Sequence, residues 1–224
     1  MEIPSTGVKV KFRPFLVKEE KILLIAQQSD SDNDIIDAIK QVLQNCIVDS
    51  KFDADTLTTF DLEYMFLKLR AHSVNNVIEV SYRDLEDDQL YKFTVDLDDV
   101  RIVKPATSNP NIQITDTIGI VMKYPSINLV NSIPKTATST EALDHLIHGC
   151  IHQVYDADNV YMVSEQSKEE VSEFVDSLDV ATFEKIRAFF DDIPRMYHKL
   201  EYKNSLGNTR IIELQTLRDF FTWG

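Results

Sequence analysis

The chain is short of the residues that build phosphate-cradling loops, disulfide frameworks and nucleic-acid surfaces. It has only five glycines among 224 residues, and no G-x-x-x-x-G-K-[ST], G-x-G-x-x-G or G-x-S-x-G pattern occurs, so nucleotide-binding loops and nucleophile elbows are excluded. Cys46 and Cys150 are its two cysteines, and both fall in apolar helical patterns where a thiol behaves as a small hydrophobe. That usage fits a reducing compartment, although a bridge between the two stays open at this point. Basic residues are also scarce, with 23 Lys and Arg against 37 Asp and Glu for a net charge of -14. A chain of that sign is repelled by phosphate backbones and by anionic membrane surfaces. Two uses of the charge remain, solubility and docking onto a basic protein partner. No run approaches the ~18 apolar residues of a membrane helix, and Met1 to Gly7 lacks the basic and apolar segments of a signal peptide. The expectation is a soluble protein that stays in the compartment where it is made.

What is present is a 43% hydrophobic chain long enough for one large core or two smaller ones. Its centre is Leu57 to Val74. At helical spacing Leu57, Phe60, Tyr64 and Leu67 form one apolar stripe and Leu62, Met65, Phe66 and Leu69 a second, leaving a narrow polar edge of Asp61, Glu63, Lys68 and Arg70. Such a helix belongs between two layers, entered through Asp53 or Asp55 as N-cap.

Before it, Val8 to Phe12 reads as a strand or extended arm stopped at Pro14. A helix follows from Val17 to Ala26 with Glu19 and Glu20 in its first turn, and then one whose apolar face is Ile35, Ile39, Val42 and Cys46, capped by Ser31 with Asp34. After it, Val77 to Arg83 and Leu90 to Leu97 alternate as two antiparallel strands around the acidic turn Asp84 to Asp88, with Val100 to Val103 a third. The proline-bounded stretch Pro105 to Pro110 is the best boundary. The pattern predicts an α+β fold, predominantly helical with small antiparallel hairpins. Residues 1–106 form a helical lobe and 107–224 an α+β lobe, or the two form one continuous domain.

In the second half the patterns predict strands at Ile112 to Ile114, Thr117 to Lys123 and, as a buried one, Val160 to Val163. Helices are expected at Ser126 to Asn131, at Glu141 to Gln153 capped by Ser139 or Thr140, and after the Ser167/Glu170 capping box. Phe183, Ile186, Phe189, Phe190 and Ile193 form an amphipathic helix ended by Pro194. A hairpin of His198 to Tyr202 against Thr209 to Leu214, turned at Asn204 to Asn208, precedes the aromatic tail. That tail, with Leu217, Phe220, Phe221 and Trp223, either docks into its own core or presents Phe220, Phe221 and Trp223 to a partner.

The most enzyme-like pattern is His145, His148 and His152, at i, i+3 and i+7 on the helix expected over Glu141 to Gln153 and therefore on one face. The spacing of His148 and His152 suits two zinc ligands, with Asp144 or Asp156 as an oxygen donor. No HExxH glutamate stands between them, so the default is a partly exposed polar face and the alternative a metal-dependent hydrolase. Asp156 to Asn159 starts like a calcium loop, but Tyr161 replaces the required glycine and Ser167 the closing glutamate, which leaves a turn. Asp61 and Glu63, two apart on a helix, point in different directions and make no acid/base pair.

Six segments carry a family resemblance: Phe12 to Ala26 (FRPFLVKEEKILLIA), Phe60 to Ser73 (FDLEYMFLKLRAHS), Ile118 to Pro125, Phe189 to Pro194, Tyr202 to Gly207 (YKNSLG) and Leu217 to Phe221 (LRDFF). Together and in this order they resemble the baseplate hub and hub-assembly proteins of T-even-type contractile-tailed bacteriophages. The resemblance implies a non-enzymatic tail protein without cofactors, made in the host cytoplasm, and its partners would be other baseplate hub or tail proteins rather than nucleic acid or membrane. Some members of that group carry cysteine pairs in the turns of two hairpins, as in a zinc ribbon. Here Asp84 to Asp88 and Asn204 to Asn208 contain none, which implies hairpins held by packing alone.

Overall fold

A computed structural model describes residues 1–28, 32–105 and 109–220. The elements begin with α1 (Val17–Gln27), α2 (Asp32–Cys46), α3 (Thr59–Ser73), β1 (Val77–Arg83), β2 (Leu90–Asp96) and β3 (Arg101–Val103). They continue with β4 (Asn111–Gln113), β5 (Gly119–Met122), α4 (Ile127–Asn131), α5 (Ser139–Cys150), β6 (Ile151–Tyr155) and β7 (Val160–Met162). The last are α6 (Lys168–Asp176), α7 (Val180–Asp191), β8 (Arg195–Lys203), β9 (Thr209–Leu214) and α8 (Leu217–Phe220). The fold is α+β, as the patterns predict, and among the described residues all strand pairs are antiparallel. None of the described helices is long and apolar enough to cross a membrane.

The chain forms two compact units, one of residues 1–103 with 195–224 and one of residues 104–194. This departs from a division at 106/107, because β3 pairs with β8 through Arg101–Tyr197, Ile102–Met196 and Val103–Arg195. The final hairpin therefore completes the first unit's sheet, in the order β3-β8-β9.

In the first unit α3 is buried on nearly every side, with Phe60, Leu62, Met65, Phe66, Leu67 and Leu69 all inside. It lies against α2 on one side and against β8 on another, the layered position its two stripes require. Its start differs from the expected Asp53 or Asp55, since Asp53 caps a single 3-10 turn at Ala54–Thr56. The cap of α3 is Thr58, whose hydroxyl receives the Asp61 N–H at 3.2 Å and donates to Asp61 Oδ2 at 2.7 Å. Asp61 is thus no surface edge residue: it is buried, and its other oxygen accepts the Ser5 N–H at 2.8 Å, tying the N-terminal arm to the helix. The arm bridges Phe12 to Ile47. Ser31, the expected cap of α2, lies outside the described residues.

In the second unit the sheet runs β4-β5-β6-β7. Ile112, Ile120, Met122, Ile147, Cys150 and Phe189 are among the residues of its core. Helix α5 ends at Cys150, three residues earlier than expected, because Ile151 to Tyr155 pairs with β5 on one side and β7 on the other. Two ladders of backbone bonds outweigh one further helical turn in a segment rich in β-branched and aromatic residues. Val160 to Met162 is an exposed edge strand rather than a buried one, with Val160 59% exposed. Gly149 lets α5 approach α4 closely, since a Cβ there would displace the Leu129 side chain.

Candidate functional site: a junction of two hairpin turns

The densest polar cluster joins two turns of the first unit. The β1–β2 turn supplies acceptors, Asp84, Glu86 and Asp87. The β8–β9 turn supplies donors, Asn204, Ser205 and Asn208. Tyr202 donates its hydroxyl to Asp84 Oδ2 at 2.6 Å, and Asn204 Nδ2 and Asn208 Nδ2 donate to the two oxygens of Glu86 at 2.6 and 2.8 Å. Ser205 gives Asp87 Oδ2 its backbone N–H at 2.9 Å and its hydroxyl at 2.7 Å, and Tyr91 donates to the same oxygen at 2.6 Å. Arg210 Nε lies 3.4 Å from Asp84, while the Tyr91 and Tyr202 ring centroids are 4.6 Å apart.

The electrostatics follow from this wiring. The Tyr202 hydroxyl and then the Glu86 N–H hold the fully buried Asp84 below the ordinary carboxylate range. Burial opposes ionisation of Asp87, but the donors Tyr91, Gln89 and Ser205 overcome it and keep the carboxylate charged. Burial, reinforced by Asp84, pushes the Tyr202 phenol up to about 12. The carboxylates are committed acceptors and the phenols committed donors, so the junction has no ready nucleophile or base. It also answers the zinc question: its donors are carboxylates, amides and hydroxyls already bonded to one another, with a guanidinium among them, and no thiol or imidazole. That set does not fit a structural zinc site. Packing alone does not hold the hairpins either, since a hydrogen-bonded clasp joins their turns. Sequence reading missed it because the partners lie 118 residues apart. The one available signal was the contrast between an all-acceptor turn and an amide-rich one.

The histidines do not assemble. His145 and His148 lie on α5, but His152 lies on β6, which removes the presumed common face. His145 Nε2 lies 2.7 Å from Ser132 Oγ, which also lies 2.7 Å from the Leu129 carbonyl oxygen. The hydroxyl is thus shared between the Leu129 carbonyl and the imidazole at the end of α4. His148 Nδ1 contacts the Asp144 carbonyl at 2.9 Å. Among the described residues no group of three or more His, Cys, Asp or Glu side chains is placed to hold a metal ion. Burial pushes the Cys150 thiol up to about 12, so it is a packing residue and both cysteines are free. Asp156 accepts the N–H groups of Asp158 and Asn159 at 2.8 Å each, as a simple turn does.

Of the aromatic tail, Leu217 and Phe220 are buried, and Phe220 at 1% exposure has no surface to offer a partner. A tail helix docked into its own core accounts for its position. Phe221 and Trp223 lie outside the described residues.

Comparison with known proteins bears on the whole chain. No curated protein and no solved structure matches it. The family model described as T4 bacteriophage base plate protein matches residues 1–222, a span that takes in both compact units, the clasp and the α5 face. A match of that extent makes the chain a member of the T4-type bacteriophage baseplate protein family.

Proposed function

We propose that the chain is a non-enzymatic component of the central hub of the baseplate, acting through contacts with other hub or tail proteins as a subunit or as an assembly factor. The observation that carries this reading is the family match from residue 1 to 222. The spent donors and acceptors of the clasp and the Ser132–His145 arrangement support a role without turnover, since each polar group is used to hold structure. The net charge of -14 supports partners that are proteins rather than nucleic acids. Assembly would take place in the host cytoplasm, and a permanent subunit would then travel in the virion baseplate.

Quantitative mass spectrometry of purified particles, paired with affinity capture from infected cells, tests the reading. A fixed stoichiometry in particles identifies a subunit, and absence from particles with capture of hub proteins identifies an assembly factor. Absence from particles together with capture of no tail protein rejects both forms.

A further inference from the structure

The second unit holds an open groove of about 920 Å³ between α5 and α6, lined among others by Glu141, Asp144, His145, His148, Glu169 and Ser172. A recess of about 360 Å³ adjoins it, sharing His145, His148 and Lys168 and adding the apolar side chains Leu129, Val163 and Val171. We propose that this groove docks a segment of another protein that carries lysine or arginine beside an apolar residue. The cation would meet Asp144 and Glu169, and the apolar side chain would enter the recess. The proposal rests on reading the chain as a baseplate component that works by protein contacts.

Charge selects the occupant. Residues 104–194 contain six Lys and Arg against fourteen Asp and Glu, a net -8 in the smaller unit. The groove itself has the carboxylates Glu141, Asp144 and Glu169 against one ammonium, Lys168. Asp144 is well exposed, and Glu169 stands on the first turn of α6 facing solvent. An anionic occupant would meet three carboxylates against a single ammonium. At the two helix starts that border the groove the third N–H is already capped, Glu141 N by Thr138 Oγ1 at 3.3 Å and Glu170 N by Ser167 Oγ at 3.2 Å, and each box is closed by its glutamate. A cationic segment with an apolar anchor meets both the field and the recess, in the manner of a helix laid into a groove.

The test uses the purified full chain and a fluorescent peptide built of repeated Leu-Lys-Lys-Leu, with binding followed by anisotropy and by the imidazole NMR signals of His145 and His148. The double variant Asp144→Lys/Glu169→Lys should weaken binding by roughly tenfold or more, as removal of close interfacial charge pairs does. Asp116→Lys/Asp191→Lys, which changes the unit's charge equally but away from the groove, should leave affinity within about twofold, the level of screened distant charges. Lys168→Glu should tighten binding, and a Leu-Glu-Glu-Leu peptide should not bind. Equal losses in the two double variants, no binding by the natural chain, or binding without movement of the two histidine signals would each overturn the proposal. None of these results bears on the protein's presence in particles, so the hub reading stands or falls separately.

Discussion

The carboxylate of Asp87 accepts both the backbone N–H and the hydroxyl of Ser205, at 2.9 and 2.7 Å, across 118 residues of chain. Replacing Asp87 by Asn keeps the shape but removes the charge and turns one acceptor into a donor, which then faces either Ser205 and Tyr91 or the Gln89 N–H. Asp87→Asn should lower the melting temperature, and Asp87→Ala, which removes both acceptors, should also abolish hydrogen-exchange protection of the Ser205 amide, while a chelator leaves the natural chain's melting temperature unchanged. Retained protection in the alanine variant, or melting sensitive to chelator, would show that something other than this clasp joins the turns.

Glu63 on α3 stands beside α8. Burial pushes its carboxyl up from 4.5 to about 7, against the favourable Leu217 N–H and with a further contribution from Asp219. Between those two values the folded chain keeps a proton that the unfolded chain releases. Stability therefore falls as pH rises through 4.5 to 7, and the cost is fully present above 7. Glu63→Gln should remove it, raising stability at pH 8 by roughly 1–3 kcal/mol and leaving pH 5 little changed. Urea unfolding at the two pH values checks this; equal effects at both would refute it.

Arg13 and Glu19 form the opposite case. The Arg13 guanidinium, 3.0 Å away, is the main reason the buried Glu19 carboxyl sits at about 2, with desolvation opposing and the Leu16 N–H assisting. Its contribution is present above the unfolded value of 4.5 and is lost as pH falls towards 2. Arg13→Ala should cost roughly 2 kcal/mol, below the value for a fully enclosed pair because Arg13 is 34% exposed. Should the variant unfold at the same urea concentration as the natural chain, the pair contributes nothing.

Phe66 is 1% exposed in the middle of α3. Phe66→Ala should cost about 3–5 kcal/mol as a large-to-small core change. A loss below roughly 1 kcal/mol in the same unfolding measurement would be a surface effect and would contradict the layered position of the helix.

The double apolar stripe of α3 was readable because its period is local, and so were the Ser167/Glu170 box and the α7 face with Ile186 and Phe189. The starts of α3 and α5 were misjudged, since Asp53 and Asp55, or Ser139 and Thr140, compete as caps on paper with Thr58 and Thr138. Only the side chain that reaches the third N–H of the finished helix wins. Partner choice was not readable. Nothing in Arg101 to Val103 announces a strand 94 residues away by the sequence numbers of Ile102 and Met196, and nothing in Glu86 announces Asn204. The same lack of long-range information placed His152 beside His148.

The pairing of Val103 with Arg195 also sets an order of synthesis. When the ribosome has delivered residue 103, the strand that β3 needs does not yet exist, and all of residues 104–194 must emerge before it does. The inserted unit can therefore finish its own sheet while the first unit still shows an unpaired edge and the uncovered wall of α3. Until β3 closes on β8, the open edge of β3 is available to a neighbouring copy of the chain.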